Sequence, residues 1–151
     1  MRALRTCLLP PVAMLLLAGG MWCLHRWWPA GLLMSWPWRA VGLLPLVAGL
    51  AMAQRHARMF RRIGTEINTF GRPGRLVTEG LFARTRNPMY LGMLLCLAGV
   101  ATLLGSVSPW LGPLAFFVLV SLWYIPVEER AMAEAFGAAY VDYRRRVRRW
   151  F

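Results

Sequence analysis

The sequence predicts an all-α, polytopic integral membrane protein with about four transmembrane helices and a C-terminal amphipathic helix. Three observations carry that prediction. The 151-residue chain is 58% hydrophobic, more than a soluble domain of this size normally holds. Its 18 cationic residues are all arginines, gathered in blocks between the apolar runs. Four of its eight tryptophans, Trp27, Trp28, Trp36 and Trp38, cluster between two of those runs, as they would at a bilayer interface. The length fits one domain.

Residues 1–6 form a short basic start with Arg2 and Arg5. The apolar run 7–24 would be about 27 Å long as a helix, enough to span a bilayer. A cleaved signal peptide is the rival reading, but continuation to Trp27 and Trp28 favours a retained helix with an aromatic anchor. Pro10 and Pro11 delay or kink its start. The second span, 36–53, needs Trp36–Trp38 for its length, and Arg39 is expected to snorkel to the outer interface.

Residues 54–87 form a long cytoplasmic loop. Its first part, Gln54 to Arg62, reads as the second helix continuing into water. Gly64, Gly71, Pro73, Gly74 and Gly80 then break regular structure, and Leu76–Thr78 suits a short extended piece. The third span, 88–105, carries Gly92 and Gly99, which allow close helix contact. The fourth, 109–127, ends at Glu128-Glu129. In the tail, 128–151, Met132, Phe136, Tyr140, Tyr143 and Val147 recur at helical spacing. Arg144, Arg145, Arg146, Arg148 and Arg149 load its end, suiting a helix C-terminus and anionic lipid headgroups.

Four spans place both termini and the 54–87 loop on one side. Sixteen arginines then lie there, against Arg26 and Arg39 opposite. The positive-inside rule puts both termini in the cytoplasm, with the bacterial inner membrane as the expected location. The net charge of +12 could suit nucleic acid, but the basic blocks abut the spans and obey the inside rule, so no nucleic-acid partner is expected. Cys7, Cys23 and Cys96 lie in apolar runs without CxxC or a histidine at ligand spacing. No disulfide framework and no metal site is expected. His25 and His56 read as interfacial side chains.

The chemistry concentrates where the loop meets the third span. Asn87 suits a helix N-cap and Pro88 the first helical position. Arg84 and Arg86 stand at that helix mouth, a receptor for a carboxylate or phosphate. The third and fourth spans are nearly equal legs of a hairpin, so Asn87-Pro88 and Glu128-Glu129 should meet at one depth under a roof of Tyr140 and Tyr143. Such a patch meets the needs of S-adenosylmethionine. Arg86 and the Asn87 helix start suit its carboxylate, Glu128 and Glu129 its ammonium or ribose, and Tyr90 and Tyr140 its adenine.

These residues also carry a resemblance. Thr78-Glu79-Gly80-Leu81-Phe82, then Arg86-Asn87-Pro88-Met89-Tyr90-Leu91-Gly92, then Glu128-Glu129 and a tail with Phe136-Gly137, Tyr140 and Tyr143 resemble the isoprenylcysteine carboxyl methyltransferase and phospholipid methyltransferase superfamily, over residues 64–150. Asn87 stands where the eukaryotic carboxyl methyltransferases have His. The resemblance implies S-adenosylmethionine as cofactor, bound by Arg86, Asn87, Tyr90, Gly92, Glu128, Glu129, Tyr140 and Tyr143, with Arg86 and Glu128 central to catalysis. It implies O-methylation of a lipid-like or prenylated acceptor reached from the membrane. A nicotinamide-dependent reductase of the sterol reductase type and a non-catalytic membrane adaptor are the alternatives.

Overall fold

Proline and glycine punctuate the helices. In the computed structural model, which describes residues 9–63 and 76–150, α1 (Pro10–Trp27) opens on Pro10, where the missing amide costs no hydrogen bond. The diproline therefore sets the start of α1. The expectations for Arg2, Arg5, Cys7, Gly64, Gly71, Pro73 and Gly74 fall outside the described residues. A 3₁₀ turn, Trp38–Gly42, leads into α2 (Leu43–Ile63), which runs through Gln54 and on past the apolar residues, as expected. A second 3₁₀ turn, Gly80–Ala83, precedes α3 (Pro88–Leu104). Gly105 ends α3 in the left-handed region, φ +72°, with its amide donating to the Ala101 carbonyl at 3.1 Å.

The last helices differ from expectation. α4 (Leu111–Leu119) passes through a π turn, Val120–Tyr124, directly into α5 (Ile125–Arg146). Pro126 has no amide to offer the carbonyl one turn back, and the helix widens just ahead of it. Glu128 and Glu129 thus lie inside the first turns of α5 and do not end a helix. The tail is not a separate helix beginning near residue 130. It is the far part of α5, interrupted at Gly137, whose φ of +51° is non-helical. The apolar stripe holds: Tyr140, Tyr143 and Val147 are buried, packed with Met132, Phe136 and Leu76.

α2 and α3 lie antiparallel along a glycine seam. Gly42 faces Gly99 and Gly49 faces Gly92, each pair too close for a Cβ; one on Gly99 would meet the Gly42 carbonyl at 2.7 Å. Gly92 and Gly99 act as expected, and Gly42 and Gly49 are their partners. α1 lays Met21 over Gly112 of α4. Between them sits the main core of Met21, Tyr90, Leu97, Ala101, Phe116, Val120, Tyr124 and Ile125. At one end of the molecule the loop after α1 bonds to the α3–α4 turn, Leu33 to Gly105 at 2.9 Å and Val107 to Gly31 at 3.1 Å. There His25 Nδ1 lies 2.7 Å from Ser106 Oγ. The site lies at the other end of α3.

No strand occurs among the described residues; Leu32 and Ser106 form an isolated bridge. One helical run among them, Ser108–Arg146, is long and apolar enough to cross a membrane, and Pro88–Leu104 is apolar but shorter. Leu15, Leu16, Leu44, Val47, Leu114 and Leu122 are exposed on the outer faces, as are all four clustered tryptophans. So much exposed apolar surface is foreign to a water-solvated monomer, and the all-helical fold is compatible with a membrane protein.

Candidate functional site

The segment 79–87 enters α3 through the Gly80–Ala83 turn, which begins on Gly80 at φ +65°. Thr85 is 1% exposed. Its hydroxyl accepts from the Asn87 amide at 3.2 Å and donates to the Arg149 carbonyl at 3.1 Å. Asn87 occupies the N-cap position but caps nothing. Its Nδ2 instead donates to the same Arg149 carbonyl at 2.9 Å. The side-chain cap expected at Asn87 is therefore replaced by a tether to the C-terminal tail. The tail reaches this point because α5 ends at Arg146 and Val147 turns extended, φ −120° and ψ 129°. The Arg86 amide then donates to the Arg148 carbonyl at 3.0 Å.

Arg86 and Arg149 meet on Glu129. Arg86 Nη2 lies 3.1 Å from Glu129 Oε1, with the two side chains 10% and 12% exposed. Arg149 grips the same carboxylate with two donors, Nε to Oε1 at 3.2 Å and Nη2 to Oε2 at 2.8 Å. The second arginine of the cluster is thus Arg149. Arg84, expected beside Arg86, is exposed. Arg86 Nε and Nη1 are buried and have no hydrogen-bond partner among the described residues. Orphaned donors on a buried cation are costly, and they point at a place for an anion next to the α3 N-terminus.

Glu128 joins from the neighbouring position of α5. It accepts from the Tyr90 hydroxyl at 2.6 Å, and the Tyr90 ring packs 6.4 Å from Tyr124. Tyr140 and Tyr143 pack against each other, centroids 6.1 Å apart, and Tyr143 donates to the Phe82 carbonyl at 2.7 Å. Burial raises the pKa of Tyr140, the negative Glu129 adds to the rise, and Arg86 opposes it. Burial, with Tyr140 beside it, pushes Tyr143 up to about 12. The hydrogen bond to Glu129 raises that of Arg149.

The structure thus gathers Arg86, Asn87, Tyr90, Glu128, Glu129 and Tyr140 around one end of α3, with Tyr143 adjoining. Gly92 stands apart, on the seam with α2. Sequence reasoning missed Thr85 and Arg149. A threonine two residues before an N-cap was a usable signal for the first; for the second nothing marked one arginine among six in the tail. It also missed the burial of His56. That ring is 3% exposed, bonds the Met52 carbonyl through Nδ1 at 2.7 Å, and meets Phe82 edge-on at 5.4 Å. Burial lowers its pKa.

A helical hairpin with paired acids and paired arginines at its mouth belongs to a recognisable class. Residues 38–139 match the profile of the phospholipid methyltransferase family. An uncharacterized protein of Haemophilus influenzae is 37% identical over 62 residues, 41% of this chain and 98% of that protein. Protein-S-isoprenylcysteine O-methyltransferase B of Arabidopsis thaliana is 37% identical over 76 residues, 48% of this chain but 37% of the plant protein. No solved structure matches. The chain belongs to the phospholipid methyltransferase family, within the superfamily that its residues resemble, and its class is that of a membrane methyltransferase.

Proposed function

We propose that this protein is an S-adenosylmethionine-dependent O-methyltransferase of the bacterial inner membrane, with four spans, both termini cytoplasmic, and a site at the cytoplasmic face that takes a lipid-like or prenylated acceptor. The observation that carries the reading is the buried Arg86 guanidinium, with Nε and Nη1 unpartnered among the described residues beside the α3 N-terminus. Those donors suit a carboxylate. Arg86, Arg149, Glu128 and Glu129 together are formally neutral, which suits a zwitterionic amino-acid group better than a simple anion. Arg86 and the Asn87 helix start would hold the carboxylate, and Glu128 or Glu129 the ammonium or ribose. Tyr90, Tyr140 and Tyr143 would wall the adenine.

Bound there, S-adenosylmethionine supplies an electrophilic methyl group for in-line displacement. The chain's own residues then align the partners and keep water out. A carboxylate acceptor needs no proton removed, so no general base is required of the protein. The exposed apolar faces of α1, α2 and α4 would let such an acceptor arrive from the bilayer.

Calorimetry with S-adenosylhomocysteine on detergent-purified protein tests the reading, with NADPH as the comparison ligand. A charge-assisted hydrogen bond is worth about 1.5–3 kcal/mol, so Arg86→Lys or Glu128→Gln should weaken binding by about ten- to a hundredfold. Wild-type affinity in both variants would overturn the site. Methyl transfer from labelled cofactor into a lipid extract tests the acceptor class.

A further inference from the structure

Two guanidiniums share the one carboxylate of Glu129, and they share it unequally. Arg149 takes it with two parallel donors, at 3.2 and 2.8 Å, while Arg86 has a single contact at 3.1 Å. A forked arginine–carboxylate pair is the stronger and more directional of the two arrangements. Both Glu129 oxygens are therefore committed toward Arg149, and among the described residues Arg86 is left with Nε and Nη1 unpartnered.

We propose that Arg149 is a positioning residue that holds Glu129 off Arg86, keeping Arg86 open for the cofactor carboxylate. The proposal rests on the reading of Arg86 given above. Without the Arg149 fork, Glu129 is free to rotate onto Arg86 as a two-donor pair and fill the donors that the ligand needs. Glu129 is then an internal counter-ion, and the acid that meets the cofactor ammonium or ribose is Glu128.

Arg149 can do this because its backbone is fixed independently of its side chain. Its carbonyl accepts from Thr85 Oγ1 and Asn87 Nδ2, at 3.1 and 2.9 Å. The preceding carbonyl accepts from the Arg86 amide at 3.0 Å. The following residue, Trp150, lies with its ring 5.2 Å from Phe117. The tail is thus strapped across the mouth of α3 by main-chain contacts, and truncating the Arg149 side chain leaves those in place.

The test is calorimetry with S-adenosylhomocysteine on the full-length protein in detergent, with circular dichroism to check folding. Arg149→Ala should weaken binding about tenfold or more, although the residue touches no ligand. Adding Glu129→Gln to Arg149→Ala should restore most of the loss, because the competing charge is gone. Arg149→Lys, which keeps the charge without the fork, should fall between wild type and Arg149→Ala, and it replaces the alanine variant if that does not fold. A purely structural strap predicts the reverse for the double variant, a further loss. Unchanged affinity in the Arg149 variants, or no restoration by Glu129→Gln, would overturn this inference while an affected Arg86→Lys left the function standing. No binding by the wild-type protein would overturn both.

Discussion

Tyr90 donates its hydroxyl to Glu128 at 2.6 Å, tying the first turn of α3 to the first turns of α5. The ring beneath is buried and rests beside Tyr124, so the hydroxyl is aimed by packing. Tyr90→Phe removes the donor and keeps the ring. A hydrogen bond to a charged group contributes about 1.5–3 kcal/mol, and thermal unfolding in detergent should register a loss of that order. Affinity for S-adenosylhomocysteine should fall severalfold as Glu128 loses its orientation. Wild-type values for both would mean that the bond orients nothing.

Asn87 tests tether against cap. For a capping residue, aspartate is as good as asparagine and alanine costs about 1 kcal/mol. Here the side chain is a donor to the Arg149 carbonyl at 2.9 Å, and aspartate would oppose oxygen to oxygen. Asn87→Asp should lose about 1–3 kcal/mol and be no more stable than Asn87→Ala. An aspartate variant as stable as wild type would restore the capping role.

Along the seam, a Cβ on Gly99 would meet the Gly42 carbonyl and the Leu46 amide nitrogen, each at 2.7 Å. Backbone cannot yield as a side chain can, so Gly99→Ala should cost about 1–3 kcal/mol by overpacking. A Cβ on Gly19 of α1 would meet nothing within 4 Å among the described residues outside its own helix backbone. Gly19→Ala should be neutral or gain up to about 1 kcal/mol from helix propensity. Equal melting temperatures for the two variants would refute the seam.

His56 gives the fold a pH dependence. Its lowered pKa means that the unfolded chain binds the proton more readily than the folded one. The stability it contributes is complete above about pH 6.5, the ordinary imidazole value, and is lost as pH falls from there toward the depressed folded-state value. Melting temperature should drop between pH 7.5 and 5.5 in the wild type and drop less in His56→Phe. Parallel curves would remove His56 as the cause.

Under the proposed four-span topology sixteen arginines lie on the side of both termini and two on the other, the distribution that the positive-inside rule assigns to cytoplasmic termini. Reporter fusions after residue 151 should therefore report cytoplasm, and fusions within 26–38 the opposite side. A C-terminus outside would undo the four-span topology and the shared depth of the two helix ends.

Much of this was legible in the sequence because proline, glycine and arginine act locally. Pro10, Pro88 and Gly105 mark helix ends through their own backbone chemistry, and the start of α3 falls at Asn87-Pro88 as that dipeptide dictates. The meeting of Arg86 with Glu129, and of Tyr90 with Glu128, follows from two legs of similar length. What stayed hidden depends on partners distant in the chain. The role of Asn87 is decided by the Arg149 carbonyl, 62 residues away. Arg84 and Arg86 are the same residue type, yet Arg86 meets Glu129 of α5 and the Arg148 carbonyl of the tail while Arg84 is exposed. The run from α4 into α5 was unreadable because Glu128-Glu129 looks like the polar end of a span.

The π turn at Val120–Tyr124 holds one residue more than an α turn would. Phe116, Val120 and Tyr124, spaced by four, are all buried on one side, whereas ideal α geometry would let that series creep around the rod by about 40° per step. Removing one residue there would swing everything beyond it by about 100°. Glu128 and Glu129 would leave Tyr90 and Arg86 with no side chain of the site altered. The address of the two acids is therefore written several residues ahead of them, and an insertion or deletion in that turn would part them from their partners without altering either acid.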